Sequence, residues 1–250
     1  MSNVRKRILV ADDTLPMRIM LQDVLSEAGF DVVTASDGEE AWSTICDDAE
    51  GFDLYIIDLL MPKVTGFEIL ERLEPYKDPV NKKVLVVTGI FKSQKEINRL
   101  KELGALGYIT KTALVDEILF RVNQVFYYGH ENTRKYPRLL KSLPVDYQAG
   151  ENTVSSYTSN LSLGGAFIRT INPMPEGEEI DLSFRIPDIN LSVEATARVA
   201  WTNEYETYRK KSCLPGMGVE FVNIDSEILD SMDYFIQDQL EKEPVWLVQM

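Results

Sequence analysis

The chain has 250 residues and a formal net charge of −14, from 26 basic and 40 acidic side chains. This length suggests two domains, and a hydrophobic content of 44% is enough for two packed cores. Because so acidic a chain repels polyanions, we expect no nucleic-acid partner. The longest uncharged apolar runs fall far short of the roughly 20 residues that a bilayer span needs, so we also expect no membrane span.

The cysteines and the N-terminus favour a cytoplasmic protein. Cys46 and Cys213 are too few for a disulfide framework and too far apart in the sequence for a metal knuckle. The basic N-terminus runs directly into Ile8–Ala11 and then into two aspartates, which is not the pattern of a signal peptide. With His130 as the sole histidine, neither a catalytic triad nor a histidine-based zinc site is expected.

The pattern of residues 1–127 predicts alternating strands and helices. Five short apolar strands are predicted, at 5–11, 32–35, 53–57, 83–87 and 106–109. Four later helices are expected to begin at a hydroxyl-bearing cap: Ser36, Thr65, Ser93 and Thr112. Continuous apolar strands between amphipathic helices are typical of an α/β doubly wound domain, here with a five-stranded parallel sheet.

Charged and polar side chains follow these strands at their carboxyl ends. Asp12 and Asp13 follow the first strand, and Asp58 follows the third. In a doubly wound sheet these ends meet at one edge, where ligands bind. Three carboxylates at such an edge favour a hard cation such as Mg²⁺, and a carboxylate beside the metal can attack phosphorus. Thr88 and Lys111, after the fourth and fifth strands, are suitable donors to phosphoryl oxygens.

In these residues the first half resembles the receiver domain of response regulators, the phosphoacceptor half of two-component signalling. The resemblance implies that Asp58 accepts a phosphoryl group from a histidine kinase. It also implies a Mg²⁺ site formed by Asp13, Asp58 and the backbone carbonyl group of Leu60. Asp12 would contribute to this site through a water molecule.

The same resemblance assigns roles to the rest of the cleft. Thr88 and Lys111 would contact the phosphate, and Tyr108 would be the aromatic side chain that moves inward with Thr88. The chain departs from the family at Thr112, where receivers usually have a proline, often after a cis bond, so the geometry of the Lys111–Thr112 bond stays open. The bulky, apolar Leu60 is expected to hinder the attacking water and to prolong the phosphorylated state.

From residue 143 onward the pattern changes to short β-strands separated by turns. Strands are predicted at 144–147, 154–158, 166–169, 180–184, 191–201 and 217–222. One helix follows, capped by Asp225 or Ser226, with apolar residues at helical spacing. This pattern predicts a small antiparallel β-barrel with a C-terminal helix.

The change of pattern places the domain boundaries. We expect the α/β domain at residues 1–127, a short polar linker at 128–133, and the barrel with its helix and tail at 134–250. The tail after residue 243 is apolar. It either packs against its own domain or makes a homodimer or partner contact.

Two segments of the second half carry groups suited to a nucleotide. Arg134 and Arg138 lie four residues apart, in a segment that Pro137 biases away from helix. Guanidinium groups bind phosphate in a bidentate manner and stack on purines. The run Asn160–Gly165, which joins two predicted strands, offers an amide, a hydroxyl and glycines that let a flat ligand approach the backbone. Lys141 is expected to add positive charge.

These residues resemble the PilZ domain, a bacterial receptor module for cyclic di-GMP. The pattern of that family is Arg-x-x-x-Arg followed by Asp/Asn-x-Ser-x-x-Gly. It is matched at Arg134, Arg138, Asn160, Ser162 and Gly165. The resemblance implies that the arginines hold the phosphates and stack on guanine, while the asparagine and the serine bind guanine edges and phosphate.

Together the two resemblances predict a response regulator that accepts phosphate on Asp58, binds cyclic di-GMP and acts as a signalling adaptor toward an unidentified downstream protein. Two alternatives stay open. In the first, the second domain is a protein-interaction module that does not bind nucleotide. In the second, the first domain is a magnesium phosphohydrolase with Asp58 as its nucleophile. The sequence offers no evident general acid, so we do not expect an enzyme.

Overall fold

The computed structural model describes residues 5–48, 51–73, 83–89, 94–127, 135–204 and 214–242. The described residues up to Tyr127 belong to one compact unit, and those from Lys135 onward belong to a second. The expected linker at 128–133 and the tail after residue 243 lie outside the described residues. The exact domain boundaries therefore stay a prediction.

In its described residues the first unit alternates five strands with five helices. The strands are β1 (Arg7–Ala11), β2 (Asp31–Ala35), β3 (Leu54–Asp58), β4 (Val84–Thr88) and β5 (Gly107–Thr110). The helices are α1 (Leu15–Glu27), α2 (Gly38–Asp47), α3 (Gly66–Leu73), α4 (Gln94–Glu102) and α5 (Val115–Tyr127). All strand pairs are parallel, in the order β2–β1–β3–β4–β5. The predicted doubly wound sheet is confirmed.

Two apolar cores lie on opposite faces of this sheet. On one face, Leu21 of α1 and Val122 of α5 belong to the same buried cluster as Ile56 of β3. On the other face, Ile69 of α3 is buried in the same cluster as Ile57. All residues of β3 and β4 are buried, because successive side chains of a strand point to opposite faces and both faces are covered.

The caps of the early helices were predicted correctly at one position and wrongly at another. At Thr65 the capping box is confirmed, since its N–H donates to Glu68 Oε2 at 2.8 Å and the Glu68 N–H donates back to Thr65 Oγ1 at 3.2 Å. Helix α2 is capped by Asp37 rather than by Ser36. The Asp37 carboxylate accepts the N–H groups of the first turn, including that of Glu39 at 2.9 Å, and a carboxylate is favoured over a hydroxyl by the positive end of the helix dipole.

The last helix of the first unit begins later than predicted. It begins at Val115, so Thr112 is not its cap. The Thr112 hydroxyl lies in the turn after β5, where its Oγ1 is 3.3 Å from Thr110 Oγ1. The Lys111–Thr112 bond is trans, as are the other described peptide bonds. The fourth expected cap, Ser93, lies outside the described residues.

The second unit is a closed antiparallel barrel. Its strands are β6 (Leu139–Leu140), β7 (Pro144–Ala149), β8 (Asn152–Ser162), β9 (Gly165–Arg169), β10 (Glu179–Ile186), β11 (Leu191–Asn203) and β12 (Gly216–Ile224). The ring runs β8–β7–β10–β11–β12–β9 and closes where β9 pairs with β8, while the short β6 also pairs with β8. The predicted barrel is confirmed.

Helix α6 (Ser226–Glu241) closes the hydrophobic core of the barrel. Strands β10 and β11 alternate buried and exposed residues over most of their length, as expected when one face of each strand is solvated. From the helix, Met232, Phe235 and Ile236 enter the core that these strands enclose. The predicted cap at Asp225 is confirmed, because its carboxylate accepts the N–H of Glu227 at 2.8 Å.

Candidate functional site

Three carboxylates meet at the carboxyl end of the parallel sheet. Asp12 and Asp13 come directly after β1, and Asp58 is the last residue of β3, the strand beside β1. One carboxylate oxygen from each residue lies within 4.8 Å of the other two. Asp12 is fully buried and Asp58 is 2% exposed, whereas Asp13 is exposed to solvent. The topology therefore gathers the three acids that the sequence singled out.

Lys111 brings a positive charge into this acidic cleft. Its Nζ lies 2.7 Å from Asp58 Oδ2 and 2.9 Å from Asp12 Oδ2. Asp13 Oδ1 is 3.9 Å away. The backbone N–H of Lys111 donates to the carbonyl oxygen of Thr88 at 2.8 Å, which joins the lysine to the end of β4. One ammonium group thus faces three carboxylates, whose combined charge exceeds its own.

Burial and charge act in opposite directions on the ionisable groups of the cleft. Burial raises the pKa of the Asp58 carboxyl, and the hydrogen bond from Lys111 reverses this only in part. Burial lowers the pKa of Lys111, but the carboxylates of Asp58 and Asp12 outweigh it and the net shift is upward. The lysine is therefore held as a cation, while ionisation of Asp58 is disfavoured unless further positive charge is supplied.

Asp12 is oriented by two residues that were not identified from the sequence. The Thr14 N–H donates to Asp12 Oδ1 at 2.8 Å, and the Arg18 guanidinium donates to the Asp12 carbonyl oxygen at 2.7 Å. Among the described residues no hydrogen bond reaches the buried Asp12 Oδ2, which Lys111 contacts as an ion pair. The available signal was the position of Thr14, two residues after an aspartate, where side chains of this type bind the backbone locally.

The other candidates of the first unit border the cleft or lie beside it. Thr88 is the last residue of β4 and is 4% exposed. The Leu60 N–H donates to Asp58 Oδ1 at 3.2 Å, and the Leu60 side chain is 76% exposed. Tyr108 lies on β5, half-buried, where it packs against the core that α2, α3 and α4 cover. Leu60 therefore contacts the Asp58 carboxylate, Thr88 ends the neighbouring strand β4, and Tyr108 packs against the core.

The cleft requires a glycine at position 66, and this requirement was not identified from the sequence. A Cβ atom at Gly66 would lie 2.3 Å from the carbonyl oxygen of Asp58, so no side chain fits there. The Gly66 N–H donates to the carbonyl oxygen of Leu59 at 3.1 Å. These contacts hold the start of α3 against the end of β3. The only signal was that this glycine follows Thr65, whose capping box was recognised.

In the second unit the candidate residues fall on two neighbouring segments. Arg138 is half-buried and directly precedes β6. Asn160 and Ser162 lie on β8, and Gly165 begins β9. Because β6 pairs with β8 at Asn160, the segment that carries Arg138 runs beside the strand that carries the polar residues. Arg134 lies outside the described residues.

The connection between β8 and β9 is shorter than predicted. Strand β8 extends through Ser162, so Leu163 and Gly164 alone form the turn. Ser162 Oγ donates to the carbonyl oxygen of Gly165 at 3.1 Å. A Cβ atom at Gly165 would lie 1.9 Å from the carbonyl oxygen of Val219, so only glycine lets β9 pack on β12.

Lys141 does not supply the additional positive charge that was expected of it. Its Nζ lies 3.0 Å from Asp188 Oδ2, and this contact lowers the pKa of the Asp188 carboxyl. The same ammonium group lies 5.4 Å from the ring centre of Phe235. The expectation was wrong because the carboxylate of Asp188 locally offsets the positive charge of Lys141.

Comparisons with known proteins agree with the folds of both units. A family model for the response regulator receiver domain matches residues 8–123, and a model for the PilZ domain matches residues 132–237. The chain combines a response regulator receiver domain with a PilZ domain. Both resemblances drawn from the sequence are thereby confirmed.

The receiver domain is similar to two curated proteins of Bacillus subtilis. The alkaline phosphatase synthesis transcriptional regulatory protein PhoP is 35% identical over 122 residues, which are 49% of each chain. Sporulation initiation phosphotransferase F is 31% identical over 115 residues, which are 46% of this chain and 89% of that protein. The chain thus spans about half the length of the first of these relatives. Among solved structures, chemotaxis protein CheY4 of Vibrio cholerae is 29% identical to this chain, with a TM-score of 0.45. The match covers 49% of this chain and 99% of the CheY4 chain.

The receiver cleft fits the Mg²⁺ ion that receiver domains typically use at an acidic pocket. Asp12, Asp13 and Asp58 supply the hard oxygen ligands that this ion prefers. Asp12 Oδ2 and Asp58 Oδ2 share the single ammonium group of Lys111, so the carboxylates of the cleft keep an excess of negative charge for a further cation. A divalent charge would also offset the unfavourable ionisation of Asp58.

Receiver and PilZ domains are regulatory modules, and this chain has the architecture of a regulator. Its first half is the receiver domain of a response regulator, and its second half is a PilZ domain. Within the described ranges, no helix combines the length and the apolar character that crossing a bilayer requires.

Proposed function

We propose that the chain is a two-component response regulator that accepts a phosphoryl group on Asp58 and binds cyclic di-GMP through its PilZ domain. The convergence of three carboxylates on Lys111 is the observation that carries the proposal for the receiver domain. For the PilZ domain, the support is the matched family together with the pairing of β6, which directly follows Arg138, with the part of β8 that carries Asn160. The chain would act as an adaptor that reports both inputs to a downstream protein.

Asp58 is the carboxylate suited to attack phosphorus. Its Oδ1 accepts the Leu60 N–H, and its Oδ2 contacts Lys111. During transfer from a histidine kinase, the P–N bond of the phosphohistidine breaks and an Asp58 oxygen forms the new P–O bond. The imidazole keeps the electron pair of the broken bond and takes up a proton. Lys111 and Thr88 would then donate to the oxygens of the transferred group.

Mg²⁺ would be held by Asp13, Asp58 and the carbonyl group of Leu60, with Asp12 acting through a water molecule. When bound, the ion supplies positive charge that stabilises the phosphoryl oxygens. The chain itself supplies the orientation of the ligands. Thr14 fixes one oxygen of the Asp12 carboxylate and leaves the other directed at the cleft.

Exposed apolar side chains near the cleft offer contact area to the histidine kinase. Leu15 and Ile19 on α1 are 58% and 48% exposed, and Leu114 before α5 is 65% exposed. A kinase must cover the cleft to deliver the phosphoryl group, and burial of such side chains favours the complex. An Ile19→Asp variant should therefore slow transfer from the kinase and leave phosphorylation by acetyl phosphate unchanged. Equal transfer rates would exclude this surface.

The PilZ residues suit a cyclic dinucleotide. Cyclic di-GMP carries two phosphates and two guanines, and the Arg138 guanidinium can pair with a phosphate and stack on a purine. Asn160 offers a donor and an acceptor to a guanine edge, and Ser162 offers a hydroxyl. Gly165 lets β9 pack on β12 and so fixes the end of the turn beside these residues. We expect Arg134, outside the described residues, to complete the cationic pair.

Two measurements test the two halves of the proposal separately. In the presence of Mg²⁺ and a phosphodonor, the wild type should become phosphorylated and Asp58→Asn should not. Calorimetric titration with cyclic di-GMP should give saturable heat with the wild type. Phosphorylation of Asp58→Asn would overturn the proposal that Asp58 is the phosphoacceptor, and the lack of heat would overturn the proposal that the PilZ domain binds cyclic di-GMP.

A further inference from the structure

The nucleotide site needs two segments that lie far apart in the sequence to come together. One segment carries Arg134 and Arg138, and the other is the turn between β8 and β9. The residues named by the family pattern do not account for how the two are held. Tyr136, between the arginines, and Gly164, in the turn, occupy positions that the pattern leaves open.

The Tyr136 ring lies directly against Gly164. A Cβ atom on Gly164 would lie 2.9 Å from Cδ2 and 3.4 Å from Cε2 of that ring. Carbon atoms in contact are normally about 3.5–4.0 Å apart. The half-buried ring therefore occupies the space where a side chain of Gly164 would stand, and even a methyl group there would displace it.

Gly164 is itself fixed to the barrel. Its carbonyl oxygen accepts the N–H of Phe221 on β12 at 2.9 Å. The following residue, Gly165, packs so tightly that a Cβ atom would lie 1.9 Å from the carbonyl oxygen of Val219. The surface that meets the Tyr136 ring is therefore anchored to β12.

Strand β6 supplies a second anchor on the other side of Arg138. It pairs with β8, and just beyond it the Lys141 N–H donates to the carbonyl oxygen of Ser159 at 3.2 Å. Arg138 thus lies between β6 and the ring of Tyr136. Pro137 fixes one further backbone angle of this short stretch.

We propose that the contact between Tyr136 and Gly164 holds the Arg138 segment in its binding position before cyclic di-GMP arrives, and so sets the affinity for the nucleotide. This inference rests on the proposed function of the PilZ domain. A segment that is ordered in advance loses less conformational entropy when the ligand binds. Tyr136 is then a positioning residue, and its aromatic ring rather than its hydroxyl group is required.

Calorimetric titration of the full chain with cyclic di-GMP tests this contact from both sides. Tyr136→Ala and Gly164→Ala should each weaken binding about 10-fold, which is about 1.4 kcal/mol, and Tyr136→Phe should bind like the wild type. Once the ring is absent the added methyl group meets nothing, so the double variant should bind no more weakly than Tyr136→Ala. Tyr234→Ala is the matched control, because Tyr234 on α6 is 76% exposed, and its affinity should be unchanged.

Amide hydrogen exchange without nucleotide separates this inference from the proposed function. Tyr136→Ala and Gly164→Ala should speed exchange at residues 138–141 several-fold, and Tyr136→Phe should not. If the wild type does not bind cyclic di-GMP, the proposed function is overturned. If Tyr136→Ala has the same exchange rates and the same affinity for cyclic di-GMP as the wild type, the positioning role of Tyr136 is overturned instead. The positioning role is also overturned if Gly164→Ala lowers the affinity for cyclic di-GMP equally in the wild type and in Tyr136→Ala.

Discussion

The Lys111 ammonium lies 2.7 Å from Asp58 Oδ2, although β5 and β3 are separated by β4 in the sheet. The lysine side chain therefore crosses the carboxyl end of β4. It also lies 2.9 Å from Asp12 Oδ2 and so divides its charge between two buried carboxylates. As a result the ion pair does not fully offset the burial of Asp58, whose pKa stays raised.

Removal of the charge at Asp58 should stabilise the receiver domain in the absence of Mg²⁺. Because ionised Asp58 is disfavoured in the folded state, Asp58→Asn should raise the Tm of this domain by a few degrees at neutral pH. Thermal unfolding followed by circular dichroism measures the shift. Asp23→Asn, which neutralises an exposed acid on α1, is the control and should leave Tm nearly unchanged.

The pH dependence of this gain has a definite sign. A folded pKa above the ordinary value of 3.8 means that the folded state binds more protons than the unfolded state in that window. The contribution of Asp58 to the stability of the wild type therefore falls as pH rises from 3.8 through the folded pKa of Asp58, and then levels off. The advantage of Asp58→Asn should be absent at low pH and grow across this window. An advantage that shrinks with rising pH would contradict the account.

Mg²⁺ should stabilise the wild-type receiver domain, and Asp13→Asn should lose most of this effect. A ligand at ten times its Kd adds about 1.4 kcal/mol to the free energy of unfolding. Thermal unfolding at a series of Mg²⁺ concentrations gives the dependence of Tm on Mg²⁺ for each variant. The control Asp23→Asn should respond like the wild type. If Asp13→Asn responded equally, the ion would not bind at the three carboxylates.

Leu60→Asn should shorten the lifetime of the phosphorylated state several-fold. The Leu60 side chain is 76% exposed beside Asp58, the proposed acceptor, where an amide can hold the attacking water and an isobutyl group cannot. Loss of phosphate from the phosphorylated chain after removal of the donor measures the rate. The matched control is Ile171→Asn, an exposed apolar residue of the barrel. An unchanged rate for Leu60→Asn would exclude this role.

Phosphorylation and nucleotide binding should be coupled if the chain integrates two inputs. Thermodynamic linkage requires that a phosphoryl mimic at Asp58 change the cyclic di-GMP affinity by the same factor by which the nucleotide changes the affinity for the mimic. Titrations of each ligand in the presence and absence of the other measure both factors. Equal affinities in all four titrations would show two independent sensors on one chain.

Most strands and helices could be predicted because their signals are local. The apolar run of β3 and the alternation along β10 each arise from which faces of a strand are covered. Strand β6 could not be predicted, since Leu139–Leu140 is too short for any periodicity and exists because it pairs with β8. The cap of α2 was misplaced because Ser36 and Asp37 are adjacent and both are suitable caps.

Only those residues of the candidate sites that the strand order brings to one edge of the sheet could be predicted from the sequence. Asp58 and Lys111 could be expected at one edge because parallel strands end there. The requirement for Gly66 arises from its close approach to a backbone oxygen, which no local pattern records. In the same way, the pairing of Lys141 with Asp188 joins residues that are distant in the sequence, so the charge of the lysine was misjudged.

Titration of the full chain with cyclic di-GMP, in the wild type and in Arg138→Ala, tests the central claim most directly. The wild type should bind at micromolar concentration or below, and Arg138→Ala should lose at least about 10-fold in affinity, since a charge-assisted contact to phosphate is removed. Arg185→Ala, which removes an exposed arginine of β10, should bind like the wild type. If the folded wild type gave no binding heat at these concentrations, the PilZ domain would not be a receptor for this nucleotide and would act as a protein-interaction module.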